Sequence, residues 1–201
     1  MFANSLETII NAGLQEKAKD VFERFDTHIE NIVEIGITYP SHEVFYEQAI
    51  VAPAVTLLLD KYRLCGDKKY LEEAKKHLKV LRRFDGFQPD HRLHNIAVRY
   101  WDDFWFGKSY MYVDSMPHYW TAYSGIAFAY YGKLAGDEKA IQYGVECSRN
   151  NLSSFGEDGR GYAAYIYPDF INSQEGKFFD AYSNDQDLGL YFILQTFDFM
   201  K

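Results

Sequence analysis

From Ala54 to Leu81 the chain reads AVTLLLDKYRLCGDKKYLEEAKKHLKVL. An apolar run is followed by a Gly-Asp pair, and then Leu71, Ala74, Leu78 and Leu81 recur at helical spacing among lysines and glutamates. The same order returns from Ser124 as SGIAFAYYGKLAGDEKAIQYGVECSRNNL. An offset of 70 residues lays Leu64 on Leu134, Gly66 on Gly136, Asp67 on Asp137 and Lys69 on Lys139. Each unit predicts a helix, a tight turn and a second helix. Gly66 and Gly136 suit the left-handed residue that ends a helix. Asp67 and Asp137 then cap the next helix, where its dipole favours negative charge.

The two helices of a unit differ in pattern. EQAIVAPAVTLLL and WTAYSGIAFAYY carry few charges and many small residues, which predicts helices buried on most sides. Pro53 either kinks its helix or marks the first turn. The second helix of each unit has one wet face. Residues 5–34 have the same amphipathic character, with a break expected near Asp26, and Asp187 to Lys201 is apolar like an inner helix. The chain therefore reads outer, inner, outer, inner, outer, inner. The expected organisation is one domain over 1–201. It comprises an outer-type helical segment (1–38), a helical hairpin (40–85), a β-hairpin connector (95–114), a second helical hairpin (115–155), a second β-hairpin (161–182) and an inner-type helix (185–201). The second β-hairpin is expected to turn around Asn172 to Gly176.

The totals narrow the function classes. Hydrophobic residues make up 47% and charged residues 25%, a globular composition. A net charge of −8 argues against a nucleic-acid partner, which needs a basic surface. The N-terminal residues lack the basic start and apolar run of a signal peptide, and no stretch is long enough to span a membrane, so a cytoplasmic setting without a membrane partner is expected. Cys65 and Cys147 match no metal or redox spacing and read as small buried hydrophobes. The histidines show no zinc-type spacing, so neither metal nor cofactor is expected. Aromatic residues reach 18%, enough both to fill a core and to form platforms for ligands.

Inner and outer helices in alternation, with aromatic connectors before the inner ones, resemble the six-hairpin glycosidase superfamily. The residues that carry the likeness are HEVFYEQAIVAPA (His42 to Ala54), YWDDFWFGKSYMYVDSMPHYW (Tyr100 to Trp120) and YSNDQDLGL (Tyr182 to Leu190). The resemblance implies an all-α fold, about half of an (α/α)6 toroid, with its open face leading to self-association as a homo-oligomer. It also implies a carbohydrate ligand held where the inner helices begin. Carried onto this chain, those positions are Glu43, Tyr46, Glu47 and Gln48; Asp114, His118, Tyr119 and Trp120; and Asn184, Asp185, Gln186 and Asp187.

Glycoside hydrolysis needs two carboxyl groups about 5 to 9.5 Å apart. Glu47 with Asp187 or with Asp114 would supply them, although an Asp at a helix start is also an ordinary cap. His118 and Tyr119 suit a second chemistry, in which a lyase removes the C5 proton of a uronic acid and protonates the leaving oxygen. Trp105 and Trp120 would stack on sugar rings. Hydrolysis is the leading expectation, with Glu47, His118 and Asp187 as the catalytic set. Elimination, or a non-catalytic helical interaction module, stands beside it, because a fold does not by itself dictate an activity.

Overall fold

In the computed structural model the structure describes residues 2–36, 48–82, 120–152, 155, 157, 159, 161, 170–171, 174–175 and 186–200. Among them the fold is all-α, with helices packed in pairs. The N-terminal segment holds α1 (Phe2–Asn11), a 3-10 turn (Gln15–Ala18) and α2 (Lys19–Ile35). The two hairpins follow as α3 (Gln48–Cys65) with α4 (Lys68–Leu81), and α5 (Thr121–Ala135) with α6 (Glu138–Asn151). A last helix, α7, spans Gln186–Asp198.

Both hairpin turns form as the repeat predicts. Gly66 and Gly136 take φ of +74° and +68°, the left-handed region that a side chain would resist. Asp67 accepts from the Lys69 backbone N–H at 3.0 Å, and Asp137 accepts from Lys139 and Ala140 at 3.1 Å each. These side chains satisfy N–H groups that a helix start leaves without partners.

The expected break near Asp26 lies elsewhere. Gly13, at φ +67°, ends α1, and α2 runs unbroken through Asp26. Asp26 is on the exposed face of α2, where its carboxylate meets Lys61 Nζ at 2.6 Å, so nothing interrupts the helix there. Pro53 lies inside α3 rather than in its first turn and is exposed. Its missing N–H leaves one carbonyl a turn earlier without the usual helical donor. Cys147 is buried as expected, but Cys65 is exposed. It occupies the last position of α3, next to the Gly66 turn, where the chain leaves the core.

The core is built around α3 and α5. Val51, Val55, Leu58 and Leu59 of α3 are fully buried, together with Ile29 and Ile32 of α2, Ala74 and Leu81 of α4, and Ala127 of α5. α5 is apolar all round and touches α3, α4, α6 and α7, as a helix in the middle of a layered bundle must. α2 and α4 are further tied by Glu30, which accepts from Tyr70 Oη at 2.6 Å and from Lys69 at 3.2 Å. The Tyr70 hydroxyl, ahead of Lys69, holds the Glu30 carboxyl below its ordinary range. Burial, then Glu30, pushes the Tyr70 hydroxyl up to about 12.

Within 161–182 one antiparallel pair is described, β1 (Phe170–Ile171) with β2 (Gln174–Glu175), in which Ile171 faces Gln174. The residues between these two strands, where the turn is expected, lie outside the described residues. The connector 95–114 lies outside the described residues.

Candidate functional site

Three contacts set the inner helices side by side. Tyr123 and Phe192 meet edge to face at 5.0 Å, and seven residues further along each helix Tyr130 and Phe199 stack at 5.1 Å. Equal steps along both helices mean that α5 and α7 run parallel. On the other flank Tyr130 donates to Asp60 Oδ1 at 2.9 Å. Asp60 and Tyr130 are separated by the repeat offset itself, so the repeated helices α3 and α5 pack level with one another. The C-terminal halves of α3, α5 and α7 therefore gather at one end of the bundle.

The sequence-predicted site belongs to the helix starts. Gln48 is the first residue of α3, Asp187 the second of α7, and Trp120 the N-cap residue of α5. Trp120 is 8% exposed, and its carbonyl accepts from the backbone N–H of Tyr123 at 2.9 Å. Its ring is thus largely enclosed where α5 begins. The other residues of that set, Glu43, Tyr46, Glu47, Trp105, Asp114, His118, Tyr119, Asn184 and Asp185, lie outside the described residues.

At the opposite, C-terminal end is a polar hollow of about 250 Å³ between α3, α5 and α7, with α1 at its rim. Asp60 and Tyr130 form its inner wall, 8% and 7% exposed respectively. Burial, reinforced by the Asp60 charge, pushes the Tyr130 hydroxyl up, so it stays a donor at any physiological pH. Arg63 closes the rim, with Nε 3.1 Å from Glu7 and a second nitrogen donating to Asn4 at 2.8 Å. Gln195 donates to Tyr191 Oη at 2.7 Å, one turn earlier on α7, and both line the same opening. Asp60 is engaged by Tyr130, and Arg63 by Glu7 and Asn4, so the hollow holds polar ties between helices. The Asp60–Tyr130 tie was not singled out from the sequence, although the offset that aligns Gly66 with Gly136 also aligns Asp60 with Tyr130.

A second group of polar side chains is buried near the start of α5. Ser148 and Asn151, one turn apart on α6, are both 0% exposed. Among the described residues, the Ser148 hydroxyl and both polar atoms of the Asn151 amide have no hydrogen-bond partner. α6 runs antiparallel to α5, as the close approach of Ser148 to Gly125 and of Ile141 to Gly132 shows. Asn151 therefore lies beside the first turn of α5, next to Thr121 and Ser124, which are also fully buried. Among the described residues, buried polar groups thus lie at the end of the bundle where α5 begins as well as at the Asp60–Tyr130 end. The sequence analysis did not single out Ser148 or Asn151, since a helical pattern carries no sign of unmet hydrogen bonds.

Among the described residues, no helix is long and apolar enough to cross a membrane. No family profile matches the chain, and no curated protein matches it. Among solved structures it is similar to a polysaccharide lyase, with a TM-score of 0.77 and 39% sequence identity over 95% of this chain. The match takes in 29% of that lyase's length, so the chain spans less than a third of the protein it resembles. The chain therefore shares its helical fold with a carbohydrate-active protein.

Proposed function

We propose that this chain forms part of a polysaccharide lyase, a segment of a helical toroid that binds an acidic glycan and cleaves it by β-elimination. The observation that carries this reading is the likeness to a polysaccharide lyase across nearly the whole chain, at an identity well above what a shared fold alone requires. It favours elimination over the hydrolysis that the paired carboxylates suggest. The parallel run of the inner helices supports it, because it turns the starts of α3, α5 and α7 towards the same end of the bundle.

The chemistry requires a proton to leave C5 of a uronic acid, where the adjacent carboxylate acidifies it. The C5–H pair then forms the C4–C5 double bond, the C4–O bond breaks, and the departing oxygen takes up a proton. In this reading His118 accepts the C5 proton and Tyr119 protonates the leaving oxygen. Both immediately precede Trp120, whose enclosed position anchors the segment to α5. Glu47, Asp114 and Asp187 then bind or orient the sugar rather than forming an acid and nucleophile pair.

Elimination leaves a double bond conjugated to the uronate carboxylate, which absorbs in the short-wavelength ultraviolet. The protein incubated with uronic-acid polysaccharides is expected to release product with that absorbance. His118→Ala is expected to lower the rate by about 10²- to 10⁴-fold while leaving the helical circular dichroism unchanged. Release of reducing ends without the absorbance would establish hydrolysis instead. An unchanged rate in His118→Ala would remove that residue from the mechanism.

A further inference from the structure

From Lys68 to Arg82 the chain carries six lysine and arginine side chains against the two carboxylates of Glu72 and Glu73, although elsewhere acidic residues outnumber basic ones. Tyr70, Ala74, Leu78 and Leu81 turn one side of α4 to the core. The basic residues divide between its two flanks. On the flank towards α2, Lys69 pairs with Glu30, while Lys76 pairs with Glu73 on α4 itself. On the other flank Lys75, Lys79 and Arg82 recur at i, i+4 and i+7, so they stand one above the next, and all three are exposed.

This second flank borders α5 and α6. Lys75 lies close to the Tyr131 hydroxyl of α5, which burial raises against the pull of that ammonium. Arg82 lies over the Tyr143 ring of α6 at 4.7 Å, and Phe128 holds the same ring edge to face at 4.5 Å. The row thus follows the seam between α4 and α6, with an aromatic ring beside its upper end. Because α4 returns from the Gly66 turn alongside α3, the row climbs towards the end of the bundle where the inner helices begin. Glu72 and Asp137 also act on Tyr131, so the lower end of the row is partly neutralised. Glu146, one turn beyond Tyr143, borders the groove between α6 and the end of α7.

Lys79 makes no hydrogen bond or ion pair among the described residues. Like charges four residues apart on a helix repel, and an anion held between Lys75 and Lys79 removes that cost. A guanidinium engaged through its face still offers N–H groups along its edge, the geometry that suits a carboxylate. Exposed charges of this kind hold a single small anion weakly, because water and salt screen them. A polymer with a carboxylate on each sugar meets the row several times, and its contacts add.

We infer that the Lys75–Lys79–Arg82 row, with Tyr143 beside it, is a second holding site for an acidic glycan, outside the place of cleavage. The inference rests on the reading of the chain as acting on a uronic-acid polymer and extends it. Sugars beyond the one being cleaved are held along the α4–α6 seam by their carboxylates, which keeps the polymer near the helix starts.

The test measures retardation of the full chain in gels containing alginate, polygalacturonate or hyaluronan at low salt, with neutral dextran as the comparator. It is made in the His118→Ala background so that the polymer stays intact. Lys75→Gln/Lys79→Gln/Arg82→Gln is compared with Lys17→Gln/Lys19→Gln/Arg24→Gln, which removes the same charge from exposed residues of the N-terminal segment. At least one acidic polymer is expected to retard the chain, and dextran is not. The row variant is expected to bind about tenfold more weakly and the control variant to bind unchanged. All six side chains are exposed, so helical circular dichroism is expected to persist. Lys79→Gln alone serves as a milder variant, with binding weakened about two- to threefold. No retardation by any acidic polymer, or equal weakening in the row and the control, would overturn the inference. The two readings fail separately. Intact binding in the row variant, with ultraviolet-absorbing product still released by the parent, removes the row and leaves elimination standing. Binding lost with the row, and no such product from the parent, keeps the row as a polyuronate site and removes elimination.

Discussion

His77 is 3% exposed on α4, and its Nδ1 lies 2.9 Å from the Glu73 carbonyl oxygen, which makes Nδ1 the protonated nitrogen. Nε2 has no hydrogen-bond partner among the described residues. Burial lowers the imidazole pKa below the ordinary 6.5 and outweighs the opposing pull of the Glu73 carbonyl. The unfolded chain therefore binds this proton at a higher pH than the folded one, and stability is lost as pH falls below about 6.5 towards the lowered folded value. The slope in that window is at most about 1.4 kcal/mol per pH unit for one proton. Thermal melts at pH near 7.5 and near 5.5 should show a smaller loss for His77→Leu than for the parent. Equal losses would place the acid sensitivity elsewhere.

At the scale of elements, the two hairpins solve the same problem in different ways. α3 and α4 interlock branched and small side chains, whereas α5 and α6 approach through glycines. A methyl group at Gly144 would lie 2.5 Å from the Gly125 carbonyl oxygen and 3.0 Å from the Ala129 methyl, and backbone atoms cannot swing away from such contacts. Gly144→Ala should therefore separate the helices and cost about 1–3 kcal/mol, even though alanine is the better helix former. Urea unfolding would show this as a lower midpoint. An unchanged midpoint would mean that the pair tolerates a wider spacing. The spacing of Leu71, Ala74, Leu78 and Leu81, the Gly-Asp turns and the caps were all legible in the sequence, because each is local chemistry repeated at a fixed interval. The true end of α1 was not, because Gly13 and Asp26 are both reasonable interruptions. Only the Asp26–Lys61 contact across to α3 showed which residue stays inside a helix.

For the whole molecule, the joint between α3, α5 and α7 is the feature on which the placement of the helix starts depends. Tyr130 holds it from both sides, through its hydroxyl to Asp60 and its ring to Phe199. Tyr130→Phe keeps the stack but withdraws the hydroxyl from a buried carboxylate, which should cost about 1–3 kcal/mol. Calorimetry should register a lower Tm with little change in helicity, and an unchanged Tm would show that the pair contributes nothing net. If the same variant also slows glycan cleavage, the effect acts through helix placement, because Tyr130 lies at the far end of the bundle from the helix starts.

The hydrophobic periodicity and the 70-residue repeat were enough to determine an all-α chain of paired inner and outer helices, since both patterns arise from contacts that each helix makes with its immediate neighbours. The expectation that chemistry sits at the starts of the inner helices came from the resemblance to the toroid superfamily and not from either pattern. Tertiary structure alone decided that those helices run side by side in the same direction, that Asp60 meets Tyr130, that the side chains of Ser148 and Asn151 are buried with no hydrogen-bond partner among the described residues, and that Leu190 and Leu194 are exposed. These depend on which faces of distant segments come together. A helical pattern records that a face is apolar, but not what lies against it.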